Sequence, residues 1–183
     1  MSQSFITSGL HINHIKAAIE WRGFSSVEEH NDFVIDSYNS TVKNKDAKVY
    51  ILGDIVFQPA TSLHLIDRLY GKKILIMGNH DVDAKRYYPY VEKVLGYYGH
   101  DSGYIMSHIP IHPSQLDSRF DVNLHGHEHV SLDEEHNKRR SEIFDARYLN
   151  IKCEFHDYKP LTFSQCRELI EYKKEGLYNE YKR

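Results

Sequence analysis

Three stretches place metal-competent or proton-transferring side chains at the abrupt end of an apolar run. Val49 to Leu52 stops at Gly53-Asp54, Ile74 to Met77 stops at Gly78-Asn79-His80-Asp81, and Val122 to Leu124 stops at His125-Gly126-His127-Glu128-His129. Two further runs do the same: Phe5 to Ser8 leads into Gly9-Leu10-His11-Ile12-Asn13-His14, and Gly103 to Ser107 leads into His108. The candidate ligands are therefore His11, Asp54, Asn79, His108, His127 and His129, a mixture of imidazole, carboxylate and amide oxygen without a thiolate. Such a set suits manganese, iron, zinc, nickel or cobalt better than a cysteine-rich structural zinc or an all-oxygen calcium cage. Six donors are too many for one tetrahedral ion and a natural number for two ions sharing a carboxylate, with Asp54 as the bridge. Two ions roughly 3.5 to 4 Å apart hold a hydroxide for in-line attack on phosphorus. The pattern points to phosphoester hydrolysis.

Side chains so far apart in the chain meet only if the runs are strands of one framework. Strand-like runs alternate with helical patterns at short spacing, which argues for parallel crossover units and an α/β core with ligands at the carboxyl ends of the strands. Ile15 to Trp21 suits a short helix. Ser26 with Glu29 three residues on forms a capping-box signature for a longer one, whose stripe of Val27, Phe33, Val34, Tyr38 and Val42 would lie on a sheet. Leu63, Ile66, Leu69 and Tyr70 give the apolar face of another helix, and Tyr87 to Tyr98 is read as a tyrosine-rich helix. Asp133 to Arg140 reads as a charged, solvated loop, Ile143 to Phe155 as β-type, Thr162 or Ser164 as the cap of a last helix, and Lys173 to Arg183 as a loosely packed tail.

Composition excludes several classes. At 183 residues the chain suits a single domain spanning 1–183, large enough to bury a core without disulfides. A net charge of -3 and a pI near 6.5 argue against extended nucleic-acid binding and anionic membranes. Only Cys153 and Cys166 are present, and no apolar run approaches a membrane span, so a reducing, cytoplasmic setting is expected. Tyr87, Tyr88, Tyr90, Tyr97 and Tyr98 suit packing at a sheet edge or a homodimer contact ahead of a base-stacking wall.

Taken in order, Gly53-Asp54, Gly78-Asn79-His80-Asp81, His108 and Gly126-His127-Glu128-His129 resemble the blocks of the calcineurin-like metallophosphoesterases, G-D, G-N-H-D/E, H and G-H-x-H. The resemblance covers most of the chain and is nearest to small stand-alone members without a cap domain. Such members also carry a histidine after the first block, here His14, and a tail pattern here at Asn150, Glu154, Tyr158 and Pro160. It implies two mixed β-sheets packed as a sandwich and flanked by helices in four layers. It also implies two divalent ions, manganese foremost: one bound by His11, Asp54 and His129, the other by Asp54, Asn79, His108 and His127. His80 would protonate the leaving oxygen, Asp81 would fix its tautomer, and His14 and Arg22 would contact a small phosphoester or nucleotide, phosphodiesters ahead of phosphoproteins.

The first block departs from the family pattern. Gly9 stands where the family has an aspartate ligand, so the first metal site is weakened. A catalytically retired metal-dependent binding or scaffold protein is the alternative reading.

Overall fold

The structure is a computed structural model that describes residues 3–116, 119–129 and 134–181. Nine short strands form among them: β1 (Ser4–Thr7), β2 (Lys48–Leu52), β3 (Lys72–Ile76), β4 (Lys93–Leu95), β5 (Tyr97–Gly99), β6 (Tyr104–Ser107), β7 (Val122–His125), β8 (Tyr148–Asn150) and β9 (Leu161–Thr162). They make a five-stranded sheet in the order β4-β3-β2-β1-β9 and a four-stranded sheet in the order β5-β6-β7-β8. Pairing is parallel through β1, β2, β3 and β4 and through β6, β7 and β8; β9 and β5 are the antiparallel edges.

The apolar runs are continuous because both faces of the first sheet are covered. Val49 and Ile51 point to one side, with Val34, Ile35 and Tyr38 of helix α1 (Val27–Thr41). Tyr50 and Leu52 alternate to the other side, into a cluster shared with Met106, Val122, Leu124 and Leu149 of the second sheet. Each fully buried isoleucine or leucine there stabilises the fold by about 1.5 to 3 kcal/mol. The chain is thus α/β, with two mixed sheets and flanking helices.

Caps are largely where the sequence places them. Ser26 Oγ accepts from Glu29 N at 3.1 Å, but the Glu29 carboxylate turns to Ser25, not to the Ser26 amide. At the last helix, α5 (Phe163–Lys174), Thr162 and Gln165 form the full capping box.

Four local expectations are corrected. Tyr87 to Tyr98 is not a helix: after the single turn of α3 (Ala84–Tyr87), Pro89 and Gly96 break the pattern and the segment pairs as β4 and β5. Leu63 to Tyr70 is not an α-helix: a single α-turn, α2 (Pro59–Ser62), precedes it, and Leu63–Arg68 is a tighter 3₁₀ stretch. The charged run is helical from Glu134 to Ile143 (α4), with Glu134 and Glu135 in its first turn, Arg140 in its last, and Arg139 on Glu135 at 2.6 Å; Asp133 lies outside the described residues. The tail is not loose as far as Tyr181: Glu180 and Tyr181 are buried, and Glu180 takes Lys173 at 2.8 Å and the Asn150 amide at 3.3 Å. Lys182 and Arg183 lie outside the described residues.

Candidate metal centre

The carboxyl ends of β1, β2, β3, β6 and β7 converge, as they must for loops after parallel strands to share one crevice. Backbone bonds lock the first two loops together, Gly9 N to Gly53 O at 3.0 Å and His11 N to Asp54 O at 2.9 Å. Gly53 is glycine because a Cβ there would lie 2.6 Å from Gly78 Cα. His11, Asp54 and His127 all sit at positive φ (49°, 55° and 65°), a costly backbone state for residues with a side chain. Three such residues at one place mark a site held by its surroundings.

Asp54, Asn79, His108 and His127 come together as expected. His108 Nε2 lies 2.9 Å from Asn79 Oδ1 and 3.4 Å from Asp54 Oδ2, and His127 Nδ1 lies 3.1 Å from Asn79 Oδ1 and 3.2 Å from His108 Nε2. His108 Nδ1 donates to the Leu52 carbonyl at 2.8 Å, a carbonyl that also accepts from Ser8 Oγ at 2.5 Å. That bond leaves neutral His108 with a lone pair at Nε2, facing the oxygens of Asn79 and Asp54. In that tautomer acceptor meets acceptor, an arrangement that a bound cation satisfies. The residues present fit a divalent ion here. Burial, reinforced by His108, lowers the pKa of His127 and favours the neutral, ligating form.

His11, His14 and His80 form a second group, with one ring nitrogen from each within 4.8 Å of the others. His14 Nδ1 accepts from the Ala17 amide at 3.1 Å, so the neutral ring carries its proton on Nε2. A histidine that ligates through one nitrogen normally donates from the other, and His14 cannot. It suits donation to an anionic oxygen, not metal binding. His80 is fixed by its own amide on Asp54 Oδ1 at 3.1 Å, with its ring 5.6 Å from that of His11 and 5.9 Å from that of His14. Buried His11 keeps an unpaired Nε2, 3.7 Å from Asp54 Oδ2, and burial holds its pKa well below the usual value.

The first metal site does not fit its ion. Lys152, fully buried, lays its stem over Gly9 and its ammonium on the His129 ring, with Glu154 Oε2 at 3.2 Å. A Cβ on residue 9 would lie 2.9 Å from Lys152 Cε and 3.0 Å from Cγ. Burial lowers the Lys152 pKa to about 8, while the Glu154 carboxylate at 3.2 Å favours the ammonium.

Two assigned roles are corrected. Arg22 is not open to substrate: its side chain is 1% exposed, and it donates to Glu154 Oε1 at 2.9 Å, Leu10 O at 2.9 Å and Gly9 O at 2.7 Å. Asp81 does not orient His80 by a hydrogen bond. Its Oδ2 accepts from Asp54 N at 2.7 Å and Gly78 N at 2.8 Å, because the tight glycine turn aims both amides inward. Sequence reasoning missed Lys152; the signal was a charged residue between Ile151 and Cys153 in a β-type run. It also missed Trp21, 49% exposed on a π-helical turn (Ala17–Trp21) and packed against His14 and His129. Of the tyrosines, Tyr87 is buried beside Asp81 and Tyr98 packs on Tyr50, whereas Tyr88 and Tyr97 are exposed.

No protein-family model matches the sequence. The chain is 30% identical to the uncharacterized protein MJ1445 of Methanocaldococcus jannaschii over 184 residues, covering 93% of each. It belongs to the MJ1445 family. The Gene 66 protein of Mycobacterium phage D29 is 27% identical over 97% of this chain and the whole of that protein, and the Gene 66 protein of Mycobacterium phage L5 is 41% identical over 44% of this chain and 41% of that protein. The solved structure of the protein of unknown function AQ665 from Aquifex aeolicus shares the fold of this MJ1445 relative, with a TM-score of 0.68 at 20% identity over 92% of this chain and all of that one. Among the described residues no helix is long and apolar enough to cross a membrane.

Proposed function

We propose that the chain is a metal-dependent phosphohydrolase of the calcineurin-like type, its two sheets forming the inner layers of a four-layer sandwich. The observation that carries this reading is His108, whose Nδ1 is committed to the Leu52 carbonyl and whose Nε2 is aimed at Asn79 Oδ1 at 2.9 Å, a geometry that suits a shared cation. When bound at Asp54, Asn79, His108 and His127, a divalent ion such as manganese supplies charge neutralisation on a phosphoryl group and acidification of water. His14 presents an Nε2 proton to a phosphoryl oxygen. His80, on the same side, holds the proton that a leaving oxygen needs. Asp81 keeps the Asp54 and Gly78 amides in place, and Arg22 with Glu154 keeps the first loop closed.

Trp21 offers half its surface beside the histidines, which suits a nucleobase or aryl group on a small diester. Chromogenic diester and monoester phosphates, assayed with the manganese-loaded chain and with His80→Ala, test the proposal. Wild type should turn over, the diester faster, and His80→Ala should keep its metal and lose turnover by about 10²-fold or more. A metal-loaded chain that binds phosphoesters and turns over neither substrate would instead be the retired binding protein.

A further inference from the structure

The hydrolase reading supposes two divalent ions, yet the position of one is filled by a side chain. Lysine is almost never fully buried unless paired, and Lys152 is fully buried. Among the described residues the one carboxylate it pairs with is Glu154, which it shares with Arg22: Oε2 faces Lys152 at 3.2 Å and Oε1 faces Arg22 at 2.9 Å. Two cations on one carboxylate leave a surplus positive charge. Burial pushes the neighbouring Cys153 thiol up to about 11, so it does not supply the missing negative charge. The surplus sits on the ammonium, against His129, whose ring stacks 5.6 Å from that of His11.

Gly9 completes the arrangement. It sits at φ +63° and its open side is covered by the Lys152 stem, so any side chain at residue 9 must displace Lys152. A carboxylate at residue 9 therefore competes with the Lys152 stem for the same space. The chain has the lysine.

Resting on the phosphohydrolase reading of the Asp54, Asn79, His108 and His127 cluster, we propose that Lys152 is a built-in cation in place of the first metal. The protein loads one divalent ion, and the buried ammonium, without touching substrate, lends its positive potential to the phosphoryl site through the His129 ring on which it rests. A point charge fixed by burial needs no reorganisation when charge develops on the substrate. Repulsion between the ammonium and a second divalent ion at His11 and His129 keeps the stoichiometry at one.

The test is metal stoichiometry with a phosphate-binding readout. Chelator-stripped protein is titrated with manganese by calorimetry and assayed for bound metal after desalting. Wild type should take one ion per chain, and the Gly9→Asp/Lys152→Ala double variant should take two. Lys152→Met should keep one ion and bind inorganic phosphate at least about tenfold more weakly, a fall measurable even where the double variant does not fold. Two ions in wild type, a folded double variant that still takes one, or unchanged phosphate affinity in Lys152→Met overturns the proposal. No ion at all in wild type sinks the hydrolase reading itself, so the two failures are distinguishable.

Discussion

Asp81 Oδ2 accepts the backbone N–H of Asp54 at 2.7 Å and so joins the loops after β2 and β3 through one carboxylate. The same oxygen takes the Gly78 amide at 2.8 Å, and Asp54 is the residue whose positive φ needs outside support. Asp81→Ala would leave the buried Asp54 amide unpaired, at about 1 to 3 kcal/mol, and the half-buried Gly78 amide at less. Asp81→Asn keeps a carbonyl oxygen for both and should cost about 1 kcal/mol. Urea unfolding and manganese titration check this: the alanine variant should lose stability and metal affinity together. A residue acting through His80 would lower turnover with both left unchanged.

Arg22 is predicted to matter for stability, not for substrate affinity. Its guanidinium serves Glu154 and the carbonyls of Gly9 and Leu10 at once, and lies over the Tyr158 ring at 5.3 Å. A lysine has one point of charge and cannot span that fork. Arg22→Lys keeps the charge but cannot serve the Gly9 and Leu10 carbonyls together with Glu154, and leaving a buried carbonyl unpaired should destabilise the fold by about 1 to 3 kcal/mol. Thermal and urea melts read this directly. An elevated KM in a variant of undiminished stability would return Arg22 to the substrate.

These two residues show what was legible beforehand and what was not. The apolar runs ending at Gly53-Asp54, Gly78-Asn79-His80 and Gly126-His127 expose strand ends, because period and glycine position follow from local chemistry. They therefore located the sheets and the cluster of Asp54, Asn79, His108 and His127. Each of Arg22, Asp81 and Lys152 takes a partner far away in the chain: Glu154 lies 132 residues from Arg22, Asp54 lies 27 from Asp81, and Gly9 lies 143 from Lys152. No local pattern specifies such pairings. Gly9 was visible as an absence, while the side chain that fills its space was not.

Metal removal should loosen the fold measurably. His108 Nε2, Asn79 Oδ1 and Asp54 Oδ2 face one another, so an ion held among them would tie the loops after β2, β3 and β6 together. Manganese at about 100 times its Kd should add about 2.7 kcal/mol to the unfolding free energy, by mass action on the native state. Chelator should reverse the shift in the melting curve. His108→Ala should melt at one temperature with or without manganese.

Acid should destabilise the protein through His30, away from the metal ligands. His30 is buried, and Arg22 donates to its Nε2 at 2.6 Å, so protonation there would set two cations against each other. Its remaining nitrogen, Nδ1, faces Asn31 Oδ1 at 3.3 Å. Burial first, and Arg22 second, lower its pKa to about 4 from the ordinary 6.5. Between those values the unfolded chain binds the proton and the folded chain does not, so stability falls as pH drops through 6.5 and levels off near 4. From about pH 7.5 to about pH 5 the loss from this residue is about 2 kcal/mol. His30→Gln keeps an acceptor for Arg22 but cannot titrate. Urea midpoints across that range should therefore fall less steeply for the glutamine variant than for wild type, and parallel slopes would remove His30 from the acid response.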